Sequence, residues 1–253
     1  AIKGFSFGEF KPEFPGVAEP RTGKSMGQSC EDMAKTWQIT REDQDQLAFD
    51  SHQKAAAAYA KGFYDDLVMP FRDMKMDNIL RADTTLEKLA TIKTAFDKHS
   101  GKGTLTAGNS TNLSDGASVA LLSSEQWATD NNKEIQAYLV DAQVAAVDFV
   151  GGDGLLMAPA WAVAQLLKRN NLSLQDFDFY EIHEAFAAQV LCTLKAWESE
   201  QFCKEKLGMD AALGSIDRSK LNVVGSSLAL GHPFAATGAR IVATAAKLLK
   251  EKI

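Results

Sequence analysis

Residues 225–240 read GSSLALGHPFAATGAR, a glycine-punctuated loop that carries His232 and lies between an apolar stretch and a helical pattern. In open α/β sheets, the loops at the carboxyl ends of strands usually present the chemistry. The imidazole of His232 can act as a base near neutral pH, and Pro233 fixes the local chain direction. A histidine in a loop is equally compatible with a structural role, so this motif alone leaves both interpretations open.

A second histidine motif, YEIHEAFAAQ at 180–189, follows another apolar stretch in the same way. Strand-like and helical patterns alternate from about residue 136, which predicts βαβ units and an α/β fold with a parallel sheet. The predicted strands are 137–149, 177–182 and 221–225, and the predicted helices lie near 159–169, from Glu184 and from Thr237. Because neighbouring parallel strands end at the same edge of a sheet, His183 and His232 are predicted to converge on one cleft.

Two histidines beside two helix N-termini suit acyl chemistry, in which a thioester oxygen is stabilised and a base takes a proton. The alternative is that His183 only bonds a backbone carbonyl at a helix start. The sequence offers no convincing nucleophile, because it has no G-x-S-x-G motif and each cysteine fits a buried small hydrophobe. The cysteines are Cys30, Cys192 and Cys203. The residues therefore predict a half-site with a base and an oxyanion stabiliser.

The first part of the chain has a different pattern of hydrophobic and charged residues. Apolar residues at three- and four-residue spacing predict helices at 25–37 and 40–62, and His52 in the second helix is interpreted as a packing or surface residue. A charge-rich stretch at 63–103 has weak periodicity and predicts an excursion over the surface. Small polar residues at 109–116 are typical of a turn.

Composition narrows the class of protein. With 253 residues, 45% hydrophobic and 24% charged, the chain has the composition of a soluble globular protein of one or two domains. A net charge of −6 argues against non-specific binding of nucleic acid. We expect no transmembrane segment, no secretory signal and no bound metal, and the few cysteines favour a reducing compartment. The first residue is Ala1 rather than methionine, which suggests a processed or truncated polypeptide.

Two segments carry a specific resemblance: HEAFAAQ at 183–189 and NVVGSSLALGHPFAATGAR at 222–240. Supporting matches are SMGQS at 25–29, RADTTLE at 81–87, AFD at 95–97 and TAGNSTNLSDGA at 106–117. In this order they resemble the thiolases, and more closely the acetyl-CoA acyltransferase branch that includes the β-subunit of the fatty-acid oxidation trifunctional enzyme. The resemblance implies thiolysis of a 3-ketoacyl-CoA to acetyl-CoA and a shortened acyl-CoA in fatty-acid β-oxidation.

The resemblance also assigns roles to residues. His232 would activate a nucleophilic cysteine. Together with the His183 position, which is asparagine in most thiolases and usually works through a bound water, His232 would also help form an oxyanion hole for the thioester. The histidine form is similar to the long-chain, trifunctional-type enzymes, which favours thiolysis over acetoacetyl-CoA synthesis. The residues matched to the coenzyme A and acyl pocket are Arg81 at the nucleotide end, Met26, Phe96 and Phe186 as apolar walls, and Thr111 at the pantetheine.

Several expectations follow from the family for the whole protein. Coenzyme A and acyl-CoA would be small-molecule substrates, with no permanently bound cofactor and no metal. The full-length protein would be a homo-oligomer or part of a trifunctional-type complex, in the bacterial cytoplasm or, alternatively, the mitochondrial matrix. Chain-length preference is not specified by any motif.

Departures from the family pattern are equally informative. The amino-terminal half with the acyl-accepting cysteine and the closing hairpin with a second cysteine are not matched, and Ser226 replaces a usual glycine. The resemblance divides the chain into an insertion (loop) domain at 1–113, which is mostly helical, the last segment of the first half at 114–134, and the second half of the duplicated fold at 135–253 without its final hairpin. This incomplete thiolase fold, with a parallel-rich sheet covered by helices, would be inactive alone. The alternatives are a non-catalytic protein that binds acyl-CoA or a partner, and an unrelated cysteine or serine hydrolase.

Overall fold

The computed structural model describes residues 16–252, and helices are its main regular elements. They are α1 (Met26–Thr36), α2 (Arg41–Ala60), α3 (Leu86–Ala90), α4 (Glu125–Asp130), α5 (Ala158–Asn170), α6 (Ala187–Glu198), α7 (Glu200–Glu205), α8 (Ser227–Leu230) and α9 (Thr237–Lys252), with single 3₁₀ turns at Leu174–Asp176 and Arg218–Lys220. The helices predicted at 25–37, 40–62 and 159–169 and from Thr237 are confirmed as α1, α2, α5 and α9. The helix predicted from Glu184 begins three residues later, as α6.

Side-chain caps fix where the first two helices begin. The Ser25 hydroxyl accepts a hydrogen bond from the backbone N–H of Gln28, and the Gln28 side chain accepts one from the Ser25 N–H. This reciprocal pair is a capping box, which satisfies two backbone donors that a helix start leaves free. Thr40 caps α2 through the N–H of Asp43, which is also an acidic residue suited to the positive end of the helix dipole.

Helix α6 lies at the centre of the larger core. All of its residues except Lys195 and Glu198 are buried, and it packs against α1, α2, α5 and α7. A helix that is buried on almost every face is typical of such a central position. A second core joins α2, α8 and α9. One histidine loop leads into α6 in the larger core, and the other connects α8 to α9, which contribute to the second core.

Extended pairing is sparse within residues 16–252. Tyr180 and Leu221 form one parallel bridge, in which the Tyr180 N–H donates to Lys220 O at 3.0 Å and the Asn222 N–H donates to Tyr180 O at 2.9 Å. The predicted neighbouring strands at 177–182 and 221–225 thus lie side by side, in the predicted parallel sense, through a single bridge.

The strand predicted at 137–149 is not formed. Val140 and Val144 are 85% and 89% exposed, and no described segment pairs with this stretch. A strand of a parallel sheet requires hydrogen-bonding neighbours and a cover on both faces. Its apolar pattern is therefore present, but the partners that would order it are absent from the described residues.

The charge-rich stretch at 63–103 runs over the surface as predicted, with α3 as its helix. Among residues 16–252, no helix is both long enough and apolar enough to cross a membrane. The same residues contain no group of His, Cys, Asp and Glu side chains that is arranged to hold a metal ion.

Candidate active site

Asn222 joins the two histidine loops. Its side-chain oxygen accepts a hydrogen bond from the Ile182 N–H at 2.8 Å, and its amide nitrogen donates to Ile182 O at 2.9 Å and to Glu184 Oε1 at 2.7 Å. The backbone of Asn222 has a φ of 45°, a conformation that asparagine tolerates better than most residues. Asn222 therefore holds the start of one loop against the start of the other.

Glu184 also holds the two histidine loops in place. Its carboxylate is fully buried and accepts hydrogen bonds from Ser51 Oγ at 2.7 Å, from Asn222 and from the Leu228 N–H at 3.2 Å. Burial raises the pKa of this carboxyl, while its donors favour the charged form. Because Ser51 belongs to α2, the carboxylate connects that helix to both histidine loops.

The structure places His183 and His232 side by side. Their ring centroids are 4.1 Å apart, and the rings are tilted by 50°. Each ring uses Nδ1 for a hydrogen bond to a hydroxyl: His183 to Ser227 Oγ at 2.7 Å and His232 to Thr237 Oγ1 at 2.7 Å. Nε2 of His183 is buried and has no partner within the described protein. Two imidazoles are thus oriented by their second nitrogen, as in sites where histidine acts chemically.

The surroundings of both histidines lower their pKa and so favour the neutral form. Burial, followed by the nearby charges of His232 and Arg240, lowers the pKa of His183 to about 4. Burial and Arg240 also lower the pKa of His232. A neutral imidazole can either accept a proton or donate its one N–H, so this pair suits a base and a hydrogen-bond donor.

The polar segment predicted as a turn at 109–116 runs beside both loops. Thr111 donates its hydroxyl to Ser227 O at 3.0 Å and its N–H to Ala185 O at 3.0 Å. Leu113 forms a parallel bridge with His232. Thr111 is therefore next to the histidine pair.

The aromatic residues assigned to the acyl pocket also meet. The rings of Phe96 and Phe186 lie edge to face with centroids 5.9 Å apart. Gly27 packs directly against the Phe96 ring, and its neighbour Met26 is 53% exposed at the start of α1. The structure thus brings Phe96 and Phe186 together and places Met26 next to Gly27, which packs against Phe96.

Arg81 is not part of this group. Its guanidinium is exposed and donates to Asn78 O at 2.8 Å and Leu80 O at 3.1 Å. Its backbone N–H donates to Nδ1 of His52 at 3.2 Å, and burial lowers the pKa of that histidine to about 4. His52 is therefore a buried packing residue, as predicted, and Arg81 lies on the surface near it.

The described residues contain no cysteine placed as a nucleophile. All three cysteines have 0% exposure and none hydrogen-bonds to a histidine. They are Cys30, Cys192 and Cys203. Burial raises the pKa of Cys192 to about 12 and that of Cys30 well above its ordinary value. A thiol must ionise to attack, so these positions suit packing.

Sequence reasoning missed the residues that support the pair: Asn222, Glu184, Ser227 and Arg240. The signal for Glu184 was its place immediately after His183, which was used only as a helix start. Ser227 and Arg240 both lie in the opening motif, but nothing in their spacing shows which hydroxyl reaches which ring. Ser226 is fully buried and its N–H donates to Ser51 Oγ at 3.1 Å, so the loop accommodates a serine there.

Comparisons with known proteins point in one direction. The family described as "Thiolase, N-terminal domain" matches residues 10–126, and "Thiolase, C-terminal domain" matches 133–253. The chain is 42% identical over 246 residues to a probable 3-ketoacyl-CoA thiolase of Caenorhabditis elegans, covering 95% of this chain and 54% of that protein. It is 43% identical over 257 residues to a 3-ketoacyl-CoA thiolase of Vibrio cholerae, covering 99% and 58%.

Solved structures agree with these relatives. An acetyl-CoA acetyltransferase of Bacillus anthracis superposes with a TM-score of 0.76 at 36% identity, covering 93% of this chain and 56% of that one. Human mitochondrial 3-ketoacyl-CoA thiolase in complex with CoA gives 0.75 at 30% identity, covering 93% and 55%. The likeness confirms the predicted α/β fold class, and the chain spans about half the length of the relatives it matches.

Proposed function

The chain belongs to the thiolase family, and we propose that it forms the histidine-bearing part of a 3-ketoacyl-CoA thiolase. The complete enzyme would be an acyltransferase that cleaves a 3-ketoacyl-CoA with coenzyme A, giving acetyl-CoA and a shortened acyl-CoA in fatty-acid β-oxidation. The observation that carries the proposal is the neutral pair of His183 and His232, with ring centroids 4.1 Å apart. The names of the relatives support the same activity.

In the proposed reaction, His232 takes the proton of a cysteine thiol, and the thiolate attacks the 3-keto carbon. The carbonyl electron pair moves to its oxygen, and collapse of this alkoxide breaks the bond between the second and third carbons. The acetyl-CoA carbanion takes a proton from a second acid outside the 253 residues, and the conjugate base of that acid then accepts the thiol proton of coenzyme A. The coenzyme A thiolate displaces the acyl group from the cysteine, and the released cysteine thiolate takes its proton back from His232. His183 stabilises oxyanion charge through its ring N–H. The cysteine is supplied from outside the 253 residues.

Substrate binding is proposed from position. Phe96 and Phe186 would wall the acyl and pantetheine groups with Met26, and Thr111 would contact the pantetheine beside the histidines. Arg81, which is exposed and lies apart, would contact the nucleotide end of coenzyme A. A structural neighbour in complex with CoA supports coenzyme A as a ligand of this fold. No permanently bound cofactor is required by this chemistry.

The organisation of the whole protein belongs to the same proposal. Residues 1–113 would form the insertion domain, 114–134 the last segment of the first half, and 135–253 the second half. The full-length protein would act as a homo-oligomer or in a trifunctional-type complex, in the bacterial cytoplasm or, alternatively, in the mitochondrial matrix.

A second candidate function is binding of acyl-CoA without chemistry. The observation that favours it is that every cysteine is completely buried although the histidine pair is complete. In that case the chain would bind coenzyme A and would not turn it over.

Thiolysis assays separate these functions. The product of the intact gene, purified from its source, is expected to cleave a 3-ketoacyl-CoA and to lose this activity on His232→Ala, while the 253-residue polypeptide is expected to be inactive. An intact gene product of 27.4 kDa that binds coenzyme A without turnover would favour the second candidate. Robust turnover by the 253-residue polypeptide would contradict the assignment of its cysteines, and activity that survives His232→Ala would contradict the assigned base.

A further inference from the structure

Ser227 lies between a guanidinium and an imidazole. Nη2 of Arg240 donates to Ser227 Oγ at 2.9 Å, and the same oxygen lies 2.7 Å from Nδ1 of His183. Ser227 is fully buried, so water does not compete for its hydroxyl. Arg240, Ser227 and His183 therefore form a hydrogen-bonded chain that ends at the site.

The donors and acceptors of these three side chains determine the direction of the hydrogen bonds between them. A guanidinium can only donate, whereas a serine hydroxyl has one proton to give and two lone pairs. Within the described protein, Nδ1 of His183 is the one acceptor at hydrogen-bonding distance from the Ser227 hydroxyl. Each tautomer leaves one buried proton without a protein acceptor, which is costly: the Ser227 hydroxyl proton if Nδ1 is protonated, and the Nε2–H if it is not. The Arg240 charge favours the second tautomer, because its donation polarises the Ser227 hydroxyl to donate onward and opposes a second N–H directed at the same oxygen. Ser227 therefore donates to Nδ1.

We propose that Arg240 and Ser227 are positioning residues that hold neutral His183 with its proton on Nε2. That nitrogen is buried and has no partner in the described residues, so its N–H is available to an anionic oxygen in the site. That this oxygen belongs to a thioester or to its tetrahedral adduct rests on the proposed function. The assignment of the tautomer of His183 does not depend on that function.

The neighbouring histidine shows the opposite arrangement. Thr237 Oγ1 has a second acceptor, Pro233 O at 3.2 Å, so it can donate there while it accepts from Nδ1 of His232 at 2.7 Å. His232 therefore carries its proton on Nδ1 and has a free lone pair on Nε2. Two adjacent imidazoles are set by different hydroxyl groups as a donor and a base, which are the two roles that acyl transfer requires.

Nitrogen NMR measures directly which ring nitrogen of each histidine carries the proton. In the purified 253-residue chain with ¹⁵N-labelled histidine, long-range ¹H–¹⁵N correlations distinguish protonated from unprotonated ring nitrogens. The chain has four histidines, and His183→Gln and His232→Gln assign the two signals that matter. We expect His183 protonated on Nε2 and His232 protonated on Nδ1 at pH 7.5.

Variants then test the cause. Ser227→Ala and, in the same direction, Arg240→Met are expected to lower the Nε2–H to Nδ1–H ratio of His183 several-fold, and Ser227→Thr to restore it. Thr237→Val is the matched control, which should alter His232 and leave His183 unchanged. The signals of His52, which is held by the Arg81 N–H, report that each variant is folded.

Two results would overturn the proposal: a wild-type His183 protonated on Nδ1, or folded Ser227→Ala and Arg240→Met variants with an unchanged ratio. The thiolysis assay tests the proposed function separately from the tautomer of His183. An inactive intact gene product with the expected tautomers would contradict only the proposed function. An active one with the opposite tautomer of His183 would contradict only the proposed positioning role of Arg240 and Ser227.

Discussion

Replacing Glu181 with glutamine should make the protein more stable at neutral and alkaline pH. Glu181 lies two residues before His183, and both of its carboxylate oxygens are buried without a hydrogen-bond partner. Burial raises the pKa of this carboxyl from 4.5 to about 8, more than the nearby charges of Arg240 and Lys54 lower it. A buried carboxylate without partners is costly, and glutamine mimics its neutral form.

The size of the effect follows from linkage. The folded state binds the Glu181 proton more tightly than the unfolded state does, so the stability it contributes is complete below pH 4.5 and is lost as pH rises to about 8. At about 1.4 kcal/mol for each pH unit, the loss is roughly 3 kcal/mol at pH 7 and at most roughly 5 kcal/mol above pH 8. Glu181→Gln should remove this loss.

Urea unfolding at several pH values between 5 and 9 measures the free energy of unfolding by linear extrapolation. The useful quantity is the difference between variant and wild type, because the histidines have lowered pKa values and act in the opposite direction below pH 6.5 in both proteins. Glu198→Gln is the matched control, since Glu198 is exposed at the end of α6. A stability difference for Glu181→Gln that stays constant from pH 5 to pH 9 would refute the reasoning.

Three further predictions concern packing and hydrogen bonding. Asn222→Ala removes three hydrogen bonds between the histidine loops and should lower the free energy of unfolding by about 2 to 4 kcal/mol in urea titrations. Gly231→Ala should cost about 1 to 3 kcal/mol, because the position has a φ of 85° and a Cβ would lie 2.5 Å from Ser114 Oγ; Gly238→Ala, in open space on α9, should cost nothing. The cysteines should resist a thiol reagent until urea unfolds the protein, and rapid modification of the native chain would contradict their burial.

The sequence predicted the helices from local periodicity, and it predicted the meeting of the two histidines from the order of the strand-like and helical patterns. Periodicity and capping residues define α1 and α2, and the positions of His183 and His232 after two neighbouring apolar stretches bring the rings to one edge. The strand at 137–149 was wrong for the opposite reason. An apolar pattern indicates that a segment can be buried, but a parallel strand forms only against partners that its own sequence does not contain.

Long-range hydrogen bonds explain why the supporting residues of the site were missed. Ser51 lies on α2, in the segment assigned to a separate insertion, yet its hydroxyl donates to Glu184 and accepts from the Ser226 N–H. Gly225, with a φ of 78°, packs so closely on this helix that a Cβ would lie 2.6 Å from Ser51 O. The orientation of both histidine loops is therefore set by a helix more than 100 residues away in sequence. A family motif predicts which groups a site uses, whereas the contacts with α2 determine how they are held.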